Sequence, residues 1–442
     1  MIFSSIEFII FFIFFIFLIK IFKNYQKQII IVSSLFFYAY WNPVFIFLII
    51  YLCSTGYLLI KQKIDLKLSI LIILLPLFYF KYSSFLLSFI PINFPSYFSY
   101  NGDLPLAISF VTFTAIAILI DVRNKIFNDN FNFTSFSEFL LYFPQLIAGP
   151  ILRARELLPQ LKNKIIFTNE NAKFGIILFS IGFAKKVFFA DNIALLIDPF
   201  FENPEAFGSQ DLIKGFLLFP LQIYFDFSGY VDMALGSSAI LGINLPINFK
   251  KPYLTYSLTD FWRSWHLTLS HWFRDYLYIS LGGSRVTKIR LYFNLIITMT
   301  IAGLWHGASI NFILWGFFNG LFLCLEKKFK INQNKNLLKI ILNCFIIFNL
   351  WLVFRISNIE SLINYFNIIY FNLGEIITFE NLVIFLITLI AIYSQKYEDH
   401  KIIKKFSSRL NFTLLIPFFI ILLITGFAIT TGQSDKFIYF DF

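Results

Sequence analysis

The sequence predicts an all-α protein whose helices cross a membrane several times. Of its 442 residues, 58% are hydrophobic and only 14% are charged, and the mean hydropathy is +0.74. Water-soluble domains are far less apolar than this. A chain that crosses the hydrocarbon region must satisfy its own backbone hydrogen bonds, which an α-helix does within one segment. We therefore expect residues 1–442 to form a single integral-membrane domain.

Apolar runs place the candidate spans along the chain. A crossing helix needs ~20 residues, so the shorter runs indicate re-entrant or interfacial helices, and we expect about eleven spans in all. The first run is not followed by a small-residue cleavage pattern, which indicates a retained helix and not a removed signal peptide. In chain order the runs are 6–22, 28–40, 44–60, 68–90, 104–120, 174–196, 212–243, 291–325, 340–354, 382–393 and 414–428.

The apolar run at 291–325 is too long for one straight span. At ~1.5 Å per residue it would measure roughly 50 Å, against a hydrocarbon core of ~30 Å. The run must tilt strongly or break, and the segment between Gly303 and Gly307 is the natural place for a break.

Basic loops indicate the orientation of the chain. Lysine and arginine in short loops stay on the cytoplasmic side, so the loops at 327–339 and 396–409 belong there. Two spans between the loops and one after them place the C-terminus at the extracytoplasmic face of the plasma (inner) membrane. Such loops also explain the net charge of +11 without a nucleic-acid partner.

Polar groups are concentrated between Gln222 and Gly307, in the segments 226–232, 262–272 and 304–307. Asp, Arg and His at membrane depth cost several kcal/mol each unless they face a wet cavity or one another. Their accumulation therefore indicates an active site buried in the membrane.

His266 lies in a segment that periodicity predicts to be one amphipathic helix. At ~100° per residue, one side carries aromatic and aliphatic residues, the other carries polar ones, and His266 lies at the near edge of the polar side. Such a helix lies in the headgroup region or lines an internal cavity, and both hold if it stands at a funnel mouth. His271, at the far edge, is expected to face solvent or to be structural. The two sides are Trp262, Trp265, Leu269, Trp272 and Tyr276, against Asp260, Arg263, Ser270 and Arg274.

His306 lies between Gly303 and Gly307, which share one helical face and let a backbone or a thin substrate approach closely. A buried imidazole stays mostly neutral, which suits a general base. A hydrogen-bonded structural histidine is the alternative that the residue alone leaves open.

Several polar side chains could support the two histidines. Asp226 and Ser228 lie in an apolar helix, but without a G-x-S-x-G pattern a serine nucleophile is weakly indicated. A buried carboxylate needs a cation such as Arg263. Arg153 could meet an anionic acyl donor or anchor a loop at the cytoplasmic face.

A set of short motifs in this order resembles the membrane-bound O-acyltransferase family. The resemblance is to its bacterial branch, which contains alginate and peptidoglycan O-acetylation proteins and the D-alanyl transfer protein of teichoic acid modification. It covers a core of residues 104–320 and the C-terminus. The motifs are Leu104-Pro-Leu-Ala-Ile-Ser-Phe110, Gly149-Pro-Ile-Leu-Arg153, Asp226-Phe-Ser-Gly-Tyr230, Phe261-Trp-Arg-Ser-Trp-His266, Tyr276-Leu-Tyr-Ile279 and Leu304-Trp-His-Gly307.

The resemblance implies a ring of helices around a central funnel, with His306 catalytic and His266 supporting. We expect supporting or substrate-binding roles for Arg153, Asp226, Ser228, Arg263 and Trp305.

The C-terminal segment 437–442 is similar to a tail motif of the same branch. That likeness implies that Tyr439 carries the acyl group transiently, while a simple aromatic anchor at the interface is the alternative. One departure from the branch is Ala107, where glycine is usual.

The resemblance implies an O-acyltransferase that moves an acyl group, with acetyl favoured, from a cytoplasmic thioester such as acetyl-CoA across the membrane. A secreted or membrane-anchored partner acyltransferase would then O-acylate a cell-envelope polysaccharide such as alginate or peptidoglycan. This mechanism implies no metal or organic cofactor. Cys53, Cys324 and Cys344 lack metal-type spacing and are expected to be buried thiols. The alternatives are D-alanyl transfer for teichoic acid modification, or a non-enzymatic transporter or export subunit.

Overall fold

The protein is helical throughout the part of the chain that the structure describes. A computed structural model describes residues 1–91, 95–127, 130–146, 149–330, 336–371 and 377–429, and no β-strand occurs in these ranges. The prediction of an all-α membrane protein is therefore confirmed.

Helices α1 to α11 are Ile6–Ile21, Gln26–Ala39, Ile46–Lys61, Leu66–Leu77, Ser83–Leu87, Ile108–Arg123, Phe133–Leu141, Phe143–Leu146, Ala154–Lys162, Asn169–Ala184 and Asp191–Glu202. Helices α12 to α21 are Ser209–Ile240, Leu258–Trp262, Leu267–Trp272, Lys288–His306, Ile310–Phe329, Leu337–Arg355, Ile359–Tyr370, Phe379–Ser394, His400–Arg409 and Phe412–Ile429.

Six helical segments of the described chain are long and apolar enough to cross a membrane, so the protein is a multi-pass membrane protein. The expected number of about eleven spans is not confirmed, since α1, α2 and α6 are shorter than a full crossing. The six segments are Pro43–Lys61, Leu66–Leu87, Ile310–Phe329, Leu337–Arg355, Phe379–Tyr397 and Phe412–Ile429.

The chain groups into two compact units. Among the described residues, the first comprises those within 1–183, 230–246 and 406–429, and the second comprises those within 184–229 and 247–405. In the first unit, phenylalanine rings of α1, α2 and α8 pack together, and the N–H of Phe143 donates to Ser34 Oγ at 3.2 Å. The second unit contains α13 to α19 and both histidines of interest.

The long apolar run breaks as the sequence predicts. Helix α15 ends at His306, and α16 begins at Ile310 after an N-terminal cap in which Ser309 Oγ accepts from the N–H of Asn311. The two helices then run back along each other in very close contact. A Cβ built on Gly303 would lie 2.1 Å from the carbonyl oxygen of Phe312, and one on Gly316 would lie 2.3 Å from that of Met299.

The prediction of a single helix through His266 is wrong. Helix α13 ends at Trp262, α14 starts at Leu267, and His266 between them has a left-handed backbone (φ +43°). The reason is that another segment takes the backbone hydrogen bonds that would continue the helix. The N–H of Leu267 donates to the Asn248 carbonyl at 3.0 Å, and the Ser264 carbonyl accepts from Lys250 at 2.8 Å.

Ala107, the departure from the family pattern, also has a left-handed backbone. It lies at φ +59° and ψ +13°, immediately before the first residue of α6. In this region the Cβ of an L-residue crowds the carbonyl oxygen and costs about 1–2 kcal/mol, whereas glycine adopts it freely. Glycine therefore suits this conformation better than alanine does.

We predict that Ala107→Gly raises the free energy of unfolding by about 1 kcal/mol, because glycine relieves the left-handed strain. The measurement is the midpoint of thermal unfolding in detergent. The matched control is Ala115→Gly, a buried position in the interior of the same helix. There glycine should lower stability by about 1 kcal/mol or more. A lower midpoint in both variants would contradict the strain at residue 107.

Candidate functional site

A cavity of about 620 Å³ lies in the second unit, and His306 forms part of its wall. Helices α13 to α16 provide most of the lining. The other lining residues are Thr259, Trp262, Arg263, Leu269, Ser270, His271, Phe273, Arg274, Tyr278, Leu295, Thr298, Met299, Ala302, Leu323, Glu326, Lys327 and Lys330. The volume lies within the usual range for a small-molecule site.

His306 is held in an aromatic cage at the C-terminal end of α15. Its side chain is only 4% exposed, and the ring stands nearly perpendicular to Trp305, Trp315 and Phe354 at centroid distances of 4.9, 5.2 and 5.2 Å. Gly307 lets Phe312 close the cage, since a Cβ there would lie 2.1 Å from the Phe312 ring. The cage restricts the imidazole to a few orientations while the cavity remains accessible to it.

The cavity wall is strongly cationic. Arg263, Arg274, Lys327 and Lys330 line it and are exposed, as is His271. Of these cations, Arg274 also pairs with Asp275 at 2.6 Å. Glu326 is the acidic lining residue, and its carboxylate already accepts hydrogen bonds from the backbone N–H groups of Leu258 and Thr259 and from the Thr259 hydroxyl. The cavity therefore favours an anionic ligand.

Two polar contacts from α16 hold the cavity wall in place. The Glu326 carboxylate accepts hydrogen bonds from backbone N–H groups at the start of α13. Asn319 Oδ1 accepts a hydrogen bond from the Trp262 indole N–H at 3.2 Å. Asn319 is buried and also donates to the Trp315 carbonyl at 2.8 Å. The position of Arg263, one residue after α13, thus depends on side chains of α16.

His266 lies deeper than His306 and does not line the cavity. It is 1% exposed, and its Nδ1 is 3.3 Å from Asn248 Oδ1. The ring packs edge to face on Phe227 at 4.7 Å and on Trp305 at 6.1 Å. Burial lowers the pKa of His266 to about 3, so the imidazole is neutral at physiological pH.

Trp305 joins the two histidines. It is 3% exposed, and one indole contacts both imidazole rings, at centroid distances of 6.1 Å to His266 and 4.9 Å to His306. The sequence prediction that these three residues belong to one region is consistent with these contacts. Their roles in catalysis remain predictions.

Asp226 belongs to a buried ionic network, but its partner is not Arg263. Lys186 Nζ lies 2.7 Å from the Asp226 carboxylate and 2.6 Å from that of Asp191. Next to it, Lys185 pairs with Glu398 at 2.5 Å, and the Tyr224 hydroxyl donates to the same carboxylate. The network satisfies charges at positions where an unpaired ion would cost several kcal/mol.

The remaining predicted site residues lie elsewhere. Arg153 is buried in the first unit, where its N–H donates to Glu156 Oε2 at 3.1 Å at the start of α9. Ser228 is 2% exposed, and its Oγ has no hydrogen-bond partner among the described residues. Tyr439 and the whole segment 437–442 lie outside the described residues.

Sequence reasoning missed Asn248, Asn319 and Glu326. The two asparagines are single amides in ordinary surroundings, and no spacing relates them to the histidines. Glu326 falls between the apolar run 291–325 and the basic loop 327–339, and neither pattern singles it out. Its role is visible only in the folded chain, where its carboxylate accepts hydrogen bonds from the backbone N–H groups of a segment 67 residues away.

Comparisons with known proteins identify the family of the chain. Residues 123–365 match the model of MBOAT, the membrane-bound O-acyltransferase family. The probable alginate O-acetylase of Pseudomonas syringae pv. tomato is 37% identical over 359 residues, covering 76% of this chain and 68% of the relative. The peptidoglycan O-acetyltransferase of Helicobacter pylori is 38% identical over 382 residues, covering 76% and 72%. The teichoic acid D-alanyltransferase of Bacillus subtilis is 28% identical over 296 residues, covering 62% and 71%.

The family model covers more than half of the chain, and the two O-acetylase relatives align over about two thirds of their own length or more. The described helices include membrane-spanning ones, and a buried histidine opens on a ligand-sized cavity. The chain thus belongs to the membrane-bound O-acyltransferase family and is a membrane O-acyltransferase.

Proposed function

We propose that the protein transfers an acyl group, acetyl in the first instance, from a cytoplasmic thioester donor to a hydroxyl acceptor, as a step in the O-acylation of a cell-envelope polysaccharide. The observation that carries this proposal is the cavity in which His306 shares the wall with Arg263, Arg274, Lys327 and Lys330. A histidine that can accept a proton and a cationic wall that can hold phosphates are what a reaction with an acyl-CoA donor needs.

The basic loop supports entry of the donor from the cytoplasmic side. Lys327 and Lys330 lie at the C-terminal end of α16, in the region that the positive-inside rule places in the cytoplasm. The same cavity extends to His306, the last residue of α15, just before the turn that leads into α16. Acetyl-CoA, which is cytoplasmic and carries several phosphate charges, fits this charge distribution.

The chemistry at His306 is general-base catalysis. The acceptor hydroxyl oxygen forms a bond to the thioester carbonyl carbon while its proton passes to the imidazole. The carbon–sulfur bond then breaks, and the departing thiolate takes the proton from the imidazolium. Each turnover leaves His306 neutral, so no cofactor is consumed.

The acetyl group is favoured over D-alanine by the relatives. The alginate and peptidoglycan O-acetylating relatives are 37% and 38% identical, whereas the D-alanyltransferase is 28% identical. Alginate and peptidoglycan are accordingly the acceptor polysaccharides that we propose first. In this scheme Tyr439 relays the acyl group at an extracytoplasmic C-terminus, and a secreted or membrane-anchored partner acyltransferase completes the transfer.

We predict that His306→Gln lowers the rate of acetyl transfer or thioester hydrolysis by about 10²–10⁴-fold, the usual contribution of a general base. Glutamine keeps approximately the volume of the side chain but cannot take up the proton. The measurement is turnover of radiolabelled acetyl-CoA by the purified protein in proteoliposomes. His400→Gln, on α20 and away from the cavity lining, is the matched control and should retain full turnover. Equal turnover in both variants would exclude His306 as the base.

We predict that Arg274→Glu and Lys327→Glu each raise the KM for acetyl-CoA by about fivefold, because a solvent-exposed ion pair contributes up to about 1 kcal/mol. The change should shrink at high salt. The control is Arg285→Glu, which reverses the charge of an exposed residue outside the cavity lining and should leave KM unchanged.

An uncharged donor separates this effect from a general disturbance of the site. S-acetyl-pantetheine carries the same thioester without phosphates, so its KM should be insensitive to either charge reversal. An equal rise in KM for both donors would show that these cations do not bind the phosphate groups of acetyl-CoA.

A further inference from the structure

The hydrogen bonds around Asn248 determine which nitrogen of His266 carries the proton. Asn248 is 1% exposed, and its Oδ1 lies 3.0 Å from the Thr268 backbone nitrogen, 3.0 Å from Thr268 Oγ1 and 3.3 Å from His266 Nδ1. Three groups therefore converge on one side-chain oxygen.

The orientation of the Asn248 amide follows from the Thr268 backbone. A backbone N–H can only donate, so the atom that it meets must be the amide oxygen and not the nitrogen. The opposite orientation would place an NH₂ group against this N–H. The amide keeps its orientation although Asn248 Nδ2 then has no hydrogen-bond partner among the described residues.

The tautomer of His266 follows in turn. An amide oxygen only accepts, so the hydrogen bond between it and His266 Nδ1 requires a proton on Nδ1. Because burial keeps the ring neutral, the second nitrogen, Nε2, then bears the lone pair.

The backbone holds this arrangement from the other side. The Asn248 carbonyl accepts from the N–H of Leu267 at 3.0 Å, so residue 248 binds the chain at 266–268 through both its main chain and its side chain. This double attachment stabilises the left-handed conformation of His266 (φ +43°), which few residues other than glycine adopt. The ring is then pinned between Phe227 and Trp305.

We propose that Asn248 is a positioning residue that holds His266 as the Nδ1-protonated tautomer and thereby presents Nε2 as the hydrogen-bond-accepting nitrogen. The role in catalysis rests on the proposed acyl transfer, whereas the tautomer itself does not. His266 therefore acts in this centre as a hydrogen-bond acceptor of fixed geometry, behind Trp305, while His306 faces the cavity.

The tautomer can be measured without any assay of activity. The chain contains four histidines, so ¹⁵N-histidine labelling of the full chain in nanodiscs gives four pairs of imidazole nitrogen signals, and His266→Asn identifies one pair. We expect the His266 pair to show a protonated Nδ1 and an unprotonated Nε2 at neutral pH. A protonated Nε2 with an unprotonated Nδ1 would overturn the proposal.

Variants of Asn248 test the positioning role. Asn248→Asp keeps an oxygen acceptor, so the tautomer should persist and most of the activity should remain. Asn248→Leu removes the acceptor and should abolish the tautomer preference. It should also lower the rate of acetyl transfer by about 100-fold. Loss of an outer hydrogen-bond partner usually lowers activity less than this, and a wrong histidine tautomer lowers it more.

Asn294 provides a matched control for the loss of a buried asparagine. It is fully buried in the same unit and donates to the carbonyls of Leu281 and Gly283. Asn294→Leu should lower the thermal midpoint but leave the His266 signals unchanged. If Asn248→Leu retains wild-type transfer, or if its His266 signals match the wild type, Asn248 has no positioning role. If the wild type lacks transfer altogether yet shows the expected tautomer, the proposed function fails and the tautomer assignment stands.

Discussion

The close backbone contact between α15 and α16 decides where His306 lies. Gly303 and Gly316 have no Cβ, and any side chain there would meet a carbonyl oxygen of the facing helix at little more than 2 Å. Packing at this distance is the usual means by which helices associate in lipid, where apolar burial supplies no driving force between them. Because α15 ends at His306 and the chain turns back at once, the imidazole stands at the top of the hairpin and faces the cavity beside it.

The two histidines of the centre have different environments and are therefore suited to different tasks. His306 lies on the cavity wall, where a substrate hydroxyl can reach it. His266 is fully buried, neutral and bound through Nδ1 to a single amide oxygen. In the proposed reaction, these differences in solvation and hydrogen bonding would give the two imidazoles different roles, as in other active sites with pairs of titratable residues.

Charges in the second unit fall into two classes. Lys185 and Lys186 meet Glu398, Asp191 and Asp226 at 2.5–2.7 Å and are compensated inside the protein. By contrast, the four cationic side chains of the cavity wall are exposed, and the glutamate beside them is engaged by backbone N–H groups. Arg274 pairs with Asp275 at 2.6 Å, so the charges of Arg263, Lys327 and Lys330 are the ones available to a ligand.

Hydropathy and glycine spacing were sufficient to predict the fold class and the break after His306, because both are local properties of the chain. Tertiary structure decided the rest. Periodicity predicted one helix through His266, but the segment around Asn248 takes over its backbone hydrogen bonds. Likewise the sequence predicted that Asp226 needs a cation, Arg263 or another, and the folded chain supplies Lys186. Such partners are distant in sequence, and a single amide or carboxylate gives no periodic signal of what it will meet once the chain has folded.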